Sequence, residues 1–272
     1  GRSEIEKTWN PGARDKLVAH VRGLGRYGLE EAEPLAAEMT AYGELWTNGH
    51  RDTCLAHERR EMTPLLYERN LACLARARVT YDTVVEVLST ASAERLSSAI
   101  VAARGLPAVD RCAFESTSST VKPPATQIAQ QAGELADAIE RARVLALTDD
   151  PKALEATKAV VARADALGYE PLVARAYLAH GLALVGSQNT KDAIPVLDHA
   201  SVAALDAFDD VTFVEAYARE VYALAITEKA NLPAIDPRGA TNYVEHVAIR
   251  AGAAGTFSRA LLFNNLGAAQ LA

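Results

Sequence analysis

YLAHGLALVGSQNTKDAIPVLDHA, residues 177–200, is the stretch from which the fold can be read. Tyr177, Gly181, Leu184, Ala193, Leu197 and Ala200 stand in the order Tyr–x3–Gly–x2–Leu–x8–Ala–x3–Leu–x2–Ala. Each half has helical periodicity, and Gly186-Ser187-Gln188 between them is a turn. Small residues at Gly181, Ala193 and Ala200 allow the two helices to approach closely. The large residues between them fill the groove toward the next hairpin.

Weaker copies of the pattern lie on either side. Phe263-Asn264-Asn265-Leu266-Gly267 repeats the first helix, with Gly267 in the anchor position of Gly181. Between these two copies Ala223 takes the anchor position, and alanines stand seven residues before each anchor (Ala174, Ala216, Ala260). The insertion Asn231–Pro237 displaces the second helix of that copy, so that Ala240 takes the place of Ala193. Upstream, Ala153-Leu154 aligns with Ala193-Ile194 at a spacing of forty. This is the small/large pattern of a tetratricopeptide repeat, longer and looser than its usual period of about 34 residues.

The remainder of the chain agrees with a helical reading. About a fifth of the 272 residues are alanine and only 6% are aromatic, which suits helices and is thin for a β protein. Helices are expected at about 13–21, 30–60, 63–88 and 92–104, then at about 126–147, 151–167, 171–186, 190–207, 212–229, 239–252 and 257–271. Gly23, Gly25 and Gly28 are read as breaking the first of them. Ser116–Thr120 followed by Pro123-Pro124 has little to bury and marks a connection. The expected architecture is therefore all-α. An N-terminal antiparallel helical bundle (1–112) and a Ser/Thr/Pro-rich connection (113–125) lead to a right-handed α-solenoid of tetratricopeptide type (126–272). Leu271-Ala272 falls inside an apolar helical pattern with no C-cap, so the sequence is expected to belong to a longer chain. No charged segment followed by an apolar one opens it.

Composition limits function. A net charge of −7 and a pI of about 5.5 argue against nucleic acid as the main partner. No run of 18 apolar residues is present, so no membrane insertion is expected from this part. Gly23-x-Gly25-x-x-Gly28 matches a dinucleotide fingerprint as a string but follows a helix, not a strand. His57-Glu58 lacks a second histidine four residues on, and His50 and His57 share a helix face without a third ligand. Asp149-Asp150 and Asp209-Asp210 fall in turns, where Asp caps the following helix. No cofactor, metal or catalytic residue is called for.

Trp9-Asn10-Pro11, Trp46, Asp52-Thr53-Cys54, Leu66 to Arg69 leading to Ala72-Cys73-Leu74, Leu106-Pro107, Cys112 and Ala166 to Leu172 together resemble a recurrent block. The block is the region behind the catalytic domain of large bacterial serine/threonine protein kinases with tetratricopeptide tails. No kinase element is present: there is no Gly-rich loop with a following Lys, no His-Arg-Asp and no Asp-Phe-Gly. The resemblance implies a sensor or scaffold role on the far side of a membrane from the kinase, without catalytic activity. A protein or peptide is then the expected partner. Stacked hairpins line a concave surface with their first helices. Counted from the anchors, that surface takes Arg175, Leu178 and Leu182 from one repeat, Tyr217, Glu220 and Leu224 from the next, and Leu261 and Asn264 from the last. Arg175 and Asn264 are expected to be exposed. The alternative is a structural module that dimerises or clusters its parent without a separate ligand.

Cys54, Cys73 and Cys112 admit two readings: three small buried apolar residues, or one disulfide and a leftover. If one bridge forms, a helix pair folded about residue 91 brings Cys73 opposite about residue 109. Cys73–Cys112 is then the pair and Cys54 the leftover. The extracytoplasmic location implied by the resemblance would favour oxidation.

Overall fold

The computed structural model describes residues 1–113, 121–228 and 240–271. Every regular element among them is a helix, and the chain is all-α. It divides into two compact units, Gly1–Thr117 and Ser118–Ala272. Ser116–Thr120 and the insertion Asn231–Pro237 lie outside the described residues.

The first unit holds α1 (Arg2–Thr8), α2 (Pro11–Arg22), α3 (Arg26–Glu58), α4 (Pro64–Thr90) and α5 (Leu96–Arg104). Thr63 caps α4, its hydroxyl accepting the Leu66 N–H at 3.3 Å, and Pro64 follows at the first helical position. The pairing of α3 with α4 is fixed by two buried polar handles. Trp46 Nε1 donates to the Leu74 carbonyl at 2.7 Å, and Tyr81 Oη donates to the Met39 carbonyl at 3.0 Å. As the α3 partner moves back seven residues, the α4 partner moves forward seven, so the two helices run antiparallel. Tyr42 stacks on Tyr81 with ring centroids 5.4 Å apart.

Sequence periodicity missed α1 and started α3 too late. Gly25, at φ +96°, turns the chain between α2 and α3, but Gly28 breaks nothing. It lies within α3, where a Cβ would stand 2.0 Å from the Val21 carbonyl oxygen. Its lack of a side chain lets α2 and α3 meet. Cys73 of α4 is disulfide-bonded to Cys112 with a Cα–Cα distance of 5.4 Å, and Cys54 is a free thiol.

The second unit holds α6 (Ala129–Leu147), α7 (Ala153–Leu167), α8 (Glu170–Gly186), α9 (Thr190–Asp206), α10 (Asp210–Glu228), α11 (Ala240–Arg250) and α12 (Thr256–Leu271). Successive helices pack on each other, and α8 also packs on α6 and α12 on α10. The corners are alike. Asp149, Gly168, Gln188 and Phe208 all adopt left-handed backbone, with φ between 51° and 63°. At three of them the N–H of the following residue closes back onto the preceding helix: Asp150 to the Leu145 carbonyl, Asn189 to Leu184 and Asp209 to Ala204. This is the geometry by which an ending helix satisfies its last carbonyls.

Ala193, Leu197 and Ala200 meet in one apolar cluster and are fully buried. A Cβ on Gly181 would lie 2.4 Å from Leu197 Cδ2 and 2.6 Å from its Cγ. Gly181→Leu is therefore expected to cost about 1–3 kcal/mol through overpacking. Gly267 differs, because a Cβ there meets nothing within 4 Å. Gly267→Ala should leave stability unchanged or raise it by up to about 1 kcal/mol through helix propensity. Chemical denaturation of the two variants checks the contrast. Equal stability of Gly181→Leu and the parent would remove Gly181 from the helix contact.

Candidate functional site

The eight positions expected to line a ligand surface differ widely in exposure. Leu178 and Leu182 are buried in the apolar core, with 3% and 6% of their surface exposed. Arg175 is not an open guanidinium. Its Nε and Nη2 donate to Asp209 Oδ2 at 3.1 and 3.0 Å, and three-quarters of the side chain is covered. Tyr217, Glu220, Leu224 and Leu261 are half-buried, Tyr217 and Leu261 against apolar clusters. Asn264 is exposed, and its amide donates to Asn265 Oδ1 at 3.2 Å.

The register explains part of this. Gly181 lies thirteen residues after the corner residue Gly168, and thirteen after Phe208 is Val221, not Ala223. Measured from the corners, the counterparts of Arg175, Leu178 and Leu182 in α10 are Glu215, Ala218 and Tyr222. Likewise Arg143 stands six residues before Asp149, as Leu182 stands six before Gln188. These corresponding positions carry a charge network that residue spacing did not reveal.

The network has two parts. Asp209 caps α10: its Oδ1 accepts the Thr212 N–H at 3.2 Å, and its Oδ2 accepts the Thr212 hydroxyl at 2.8 Å in addition to Arg175. Burial pushes the Asp209 carboxyl upward. The Arg175 cation and the Thr212 hydrogen bonds outweigh that push and hold it below the ordinary aspartate value. In the second part, Arg143 Nη2 on α6 donates to both oxygens of Glu215 on α10, at 2.7 and 2.8 Å. Arg219, one turn along α10, approaches Glu215 Oε1 only to 3.6 Å. Glu215 is 7% exposed. Burial raises its carboxyl, and Arg143 followed by Arg219 more than reverses the effect. Arg143 is held above its usual value, chiefly by Glu215. Arg143 and Glu215 stand 72 residues apart, beyond the reach of local spacing.

Glu220 is a carboxylate of another kind. Burial, with the nearby Asp198 charge, pushes it up to about 7. A raised carboxyl contributes stability below its unfolded value of about 4.5, and that stability is lost as pH rises through 7. Glu220→Gln should therefore be nearly neutral at pH 5 and stabilising by about 1–2 kcal/mol at pH 8. Denaturant melts at the two pH values test this, and a gain of the same size at both would rule out the shift.

Comparison with protein-family models, with curated proteins and with solved structures gives no match to this chain.

Proposed function

We propose that this chain is a non-catalytic protein- or peptide-binding module. In this reading its first unit is an antiparallel helical bundle, and its second a right-handed α-solenoid of tetratricopeptide type. Support comes from the left-handed corner that recurs every 19–20 residues from Asp149 to Phe208, with α8 packed on α6 and α12 on α10. Helix pairs repeated in this way build an extended surface from alternate helices, and such surfaces bind chains. The resemblance noted above extends the proposal. The module would be a sensor or scaffold behind a bacterial serine/threonine kinase domain, on the far side of the membrane. The test is selection of a random peptide library on the immobilised chain. Recovery of peptides whose amide resonance shifts map to α6, α8 and α10 supports the reading. Failure to recover any binder, or shifts confined to residues 1–113, overturns it.

A second reading, self-association, has its own observation. Phe257 and Phe263 on α12 are about half exposed, and Gly267 beside them is open. This face would pair with a second copy. Sedimentation should then show a dimer that Phe263→Asp dissociates, and a monomer at all concentrations would exclude it.

A further inference from the structure

We infer that the cavity between α7, α8 and α9 takes an arginine side chain of a bound polypeptide. Two of these helices, α7 and α9, lie outside the peptide surface proposed above, so the inference does not rest on it. The cavity has a volume of about 360 Å³. Each helix brings one carboxylate to its lining: Asp165 near the end of α7, Glu170 at the start of α8 and Asp206 at the end of α9. Val173 and Val202 give the lining an apolar side, and His199 contributes a ring.

Charge complementarity selects the occupant. All three carboxylates are exposed, and none forms an ion pair among the described residues. No lysine or arginine lines the cavity. Asp165 and Asp206 stand in the last turns of α7 and α9, and neither turn holds a basic residue. The end of a helix presents unpaired carbonyls and favours a cation, so each of these aspartates opposes its own helix. The missing cation is left to be supplied from outside. Tyr177 of α8 sets the two walls: its hydroxyl donates to Asp165 Oδ2 at 3.2 Å, and its ring packs on His199 with centroids 4.1 Å apart. A single metal ion does not suit this spacing, since no group of three His, Cys, Asp or Glu side chains among the described residues is placed to hold one. A guanidinium is wide and planar, and its five donors reach carboxylates that do not converge on a point. Its aliphatic stem can lie along Val173 and the half-exposed Val202. A lysine ammonium is a point charge and engages fewer of these oxygens.

The experiment uses the full chain and N-acetylarginine amide as the probe, titrated against sodium chloride at equal ionic strength. The backbone amide resonances of Asp165, Val202 and Asp206 are the readout. They should shift selectively and saturate. N-acetyllysine amide should bind at least threefold more weakly, and the citrulline analogue, which keeps the shape without the charge, should give no response. Asp206→Asn should weaken arginine amide at least threefold while leaving the melting midpoint equal or higher, since it removes a carboxylate that opposes its helix. Glu155→Gln, an exposed carboxylate near the start of α7, should leave binding intact. Shifts that do not saturate, a response to citrulline equal to that of arginine, lysine binding as tightly as arginine, or a lower melting midpoint for Asp206→Asn would each overturn the site. The library selection separates this claim from the peptide surface. If selected peptides shift α6, α8 and α10 while arginine amide shifts nothing, the arginine site fails and that surface stands. If arginine amide shifts the cavity and no library peptide binds, the surface fails and the arginine site stands.

Discussion

Arg143→Ala is expected to destabilise the second unit by about 3–5 kcal/mol, because it leaves the buried Glu215 carboxylate without its main partner. The distances identify Arg143 as that partner: both Glu215 oxygens lie within 2.8 Å of its Nη2, whereas Arg219 is 3.6 Å away. The pH dependence should change sign. In the parent Glu215 is depressed, so its contribution is present above the unfolded glutamate value and is lost as pH falls through the lower folded value. Without Arg143, burial dominates and the carboxyl rises. Its cost then appears as pH climbs and fades on acidification. Denaturant unfolding at pH 7 and pH 5 should show the deficit of Arg143→Ala shrinking at the lower pH. A deficit that stays constant or grows would mean that Glu215 is not the group left stranded.

The second large effect is expected in the first unit. The Cys73–Cys112 bridge closes a loop of 39 residues and lies within the core, with both cysteines less than 10% exposed. Restricting the unfolded chain over such a loop is worth about 4 kcal/mol in the loop-entropy account. Replacing both cysteines by serine also buries two hydroxyls and adds to the loss. The transition of the first unit should move to lower denaturant, while the second unit, which has no cysteine, keeps its midpoint. Thiol counting in denaturant without reductant should give one thiol, mapped to Cys54, and three after reduction. Three thiols before reduction would mean that the bridge does not form in solution.

How far the sequence could be read depended on what carried the signal. Helices announced themselves by apolar spacing and by the turn at Gly186-Ser187-Gln188. The close contact at Gly181 was readable because only a small residue fits there. The chosen groove was harder to read. Leu178 and Leu182 have the character of core residues, and pattern alone does not distinguish a leucine facing a ligand from one facing a neighbouring helix. Arg175 has a carboxylate partner thirty-four residues away, beyond the range of local spacing. The anchor in α10 was misplaced by two residues because alanine was sought where valine stands. Gly28 misled in the opposite sense, as a glycine serving a helix crossing reads like one serving a turn.

The four corners at Asp149, Gly168, Gln188 and Phe208 share one backbone conformation and no side-chain type. Three of them carry an L side chain where glycine would sit without strain, at a cost of about 1–2 kcal/mol apiece. The rhythm of this array is thus written in a dihedral angle, and residue identity at the corners is free to drift within that cost. Ancestry in such a chain would fade from the alphabet well before it fades from the geometry. Divergent copies of the same build would then keep time with one another, corner for corner, after their letters had ceased to align.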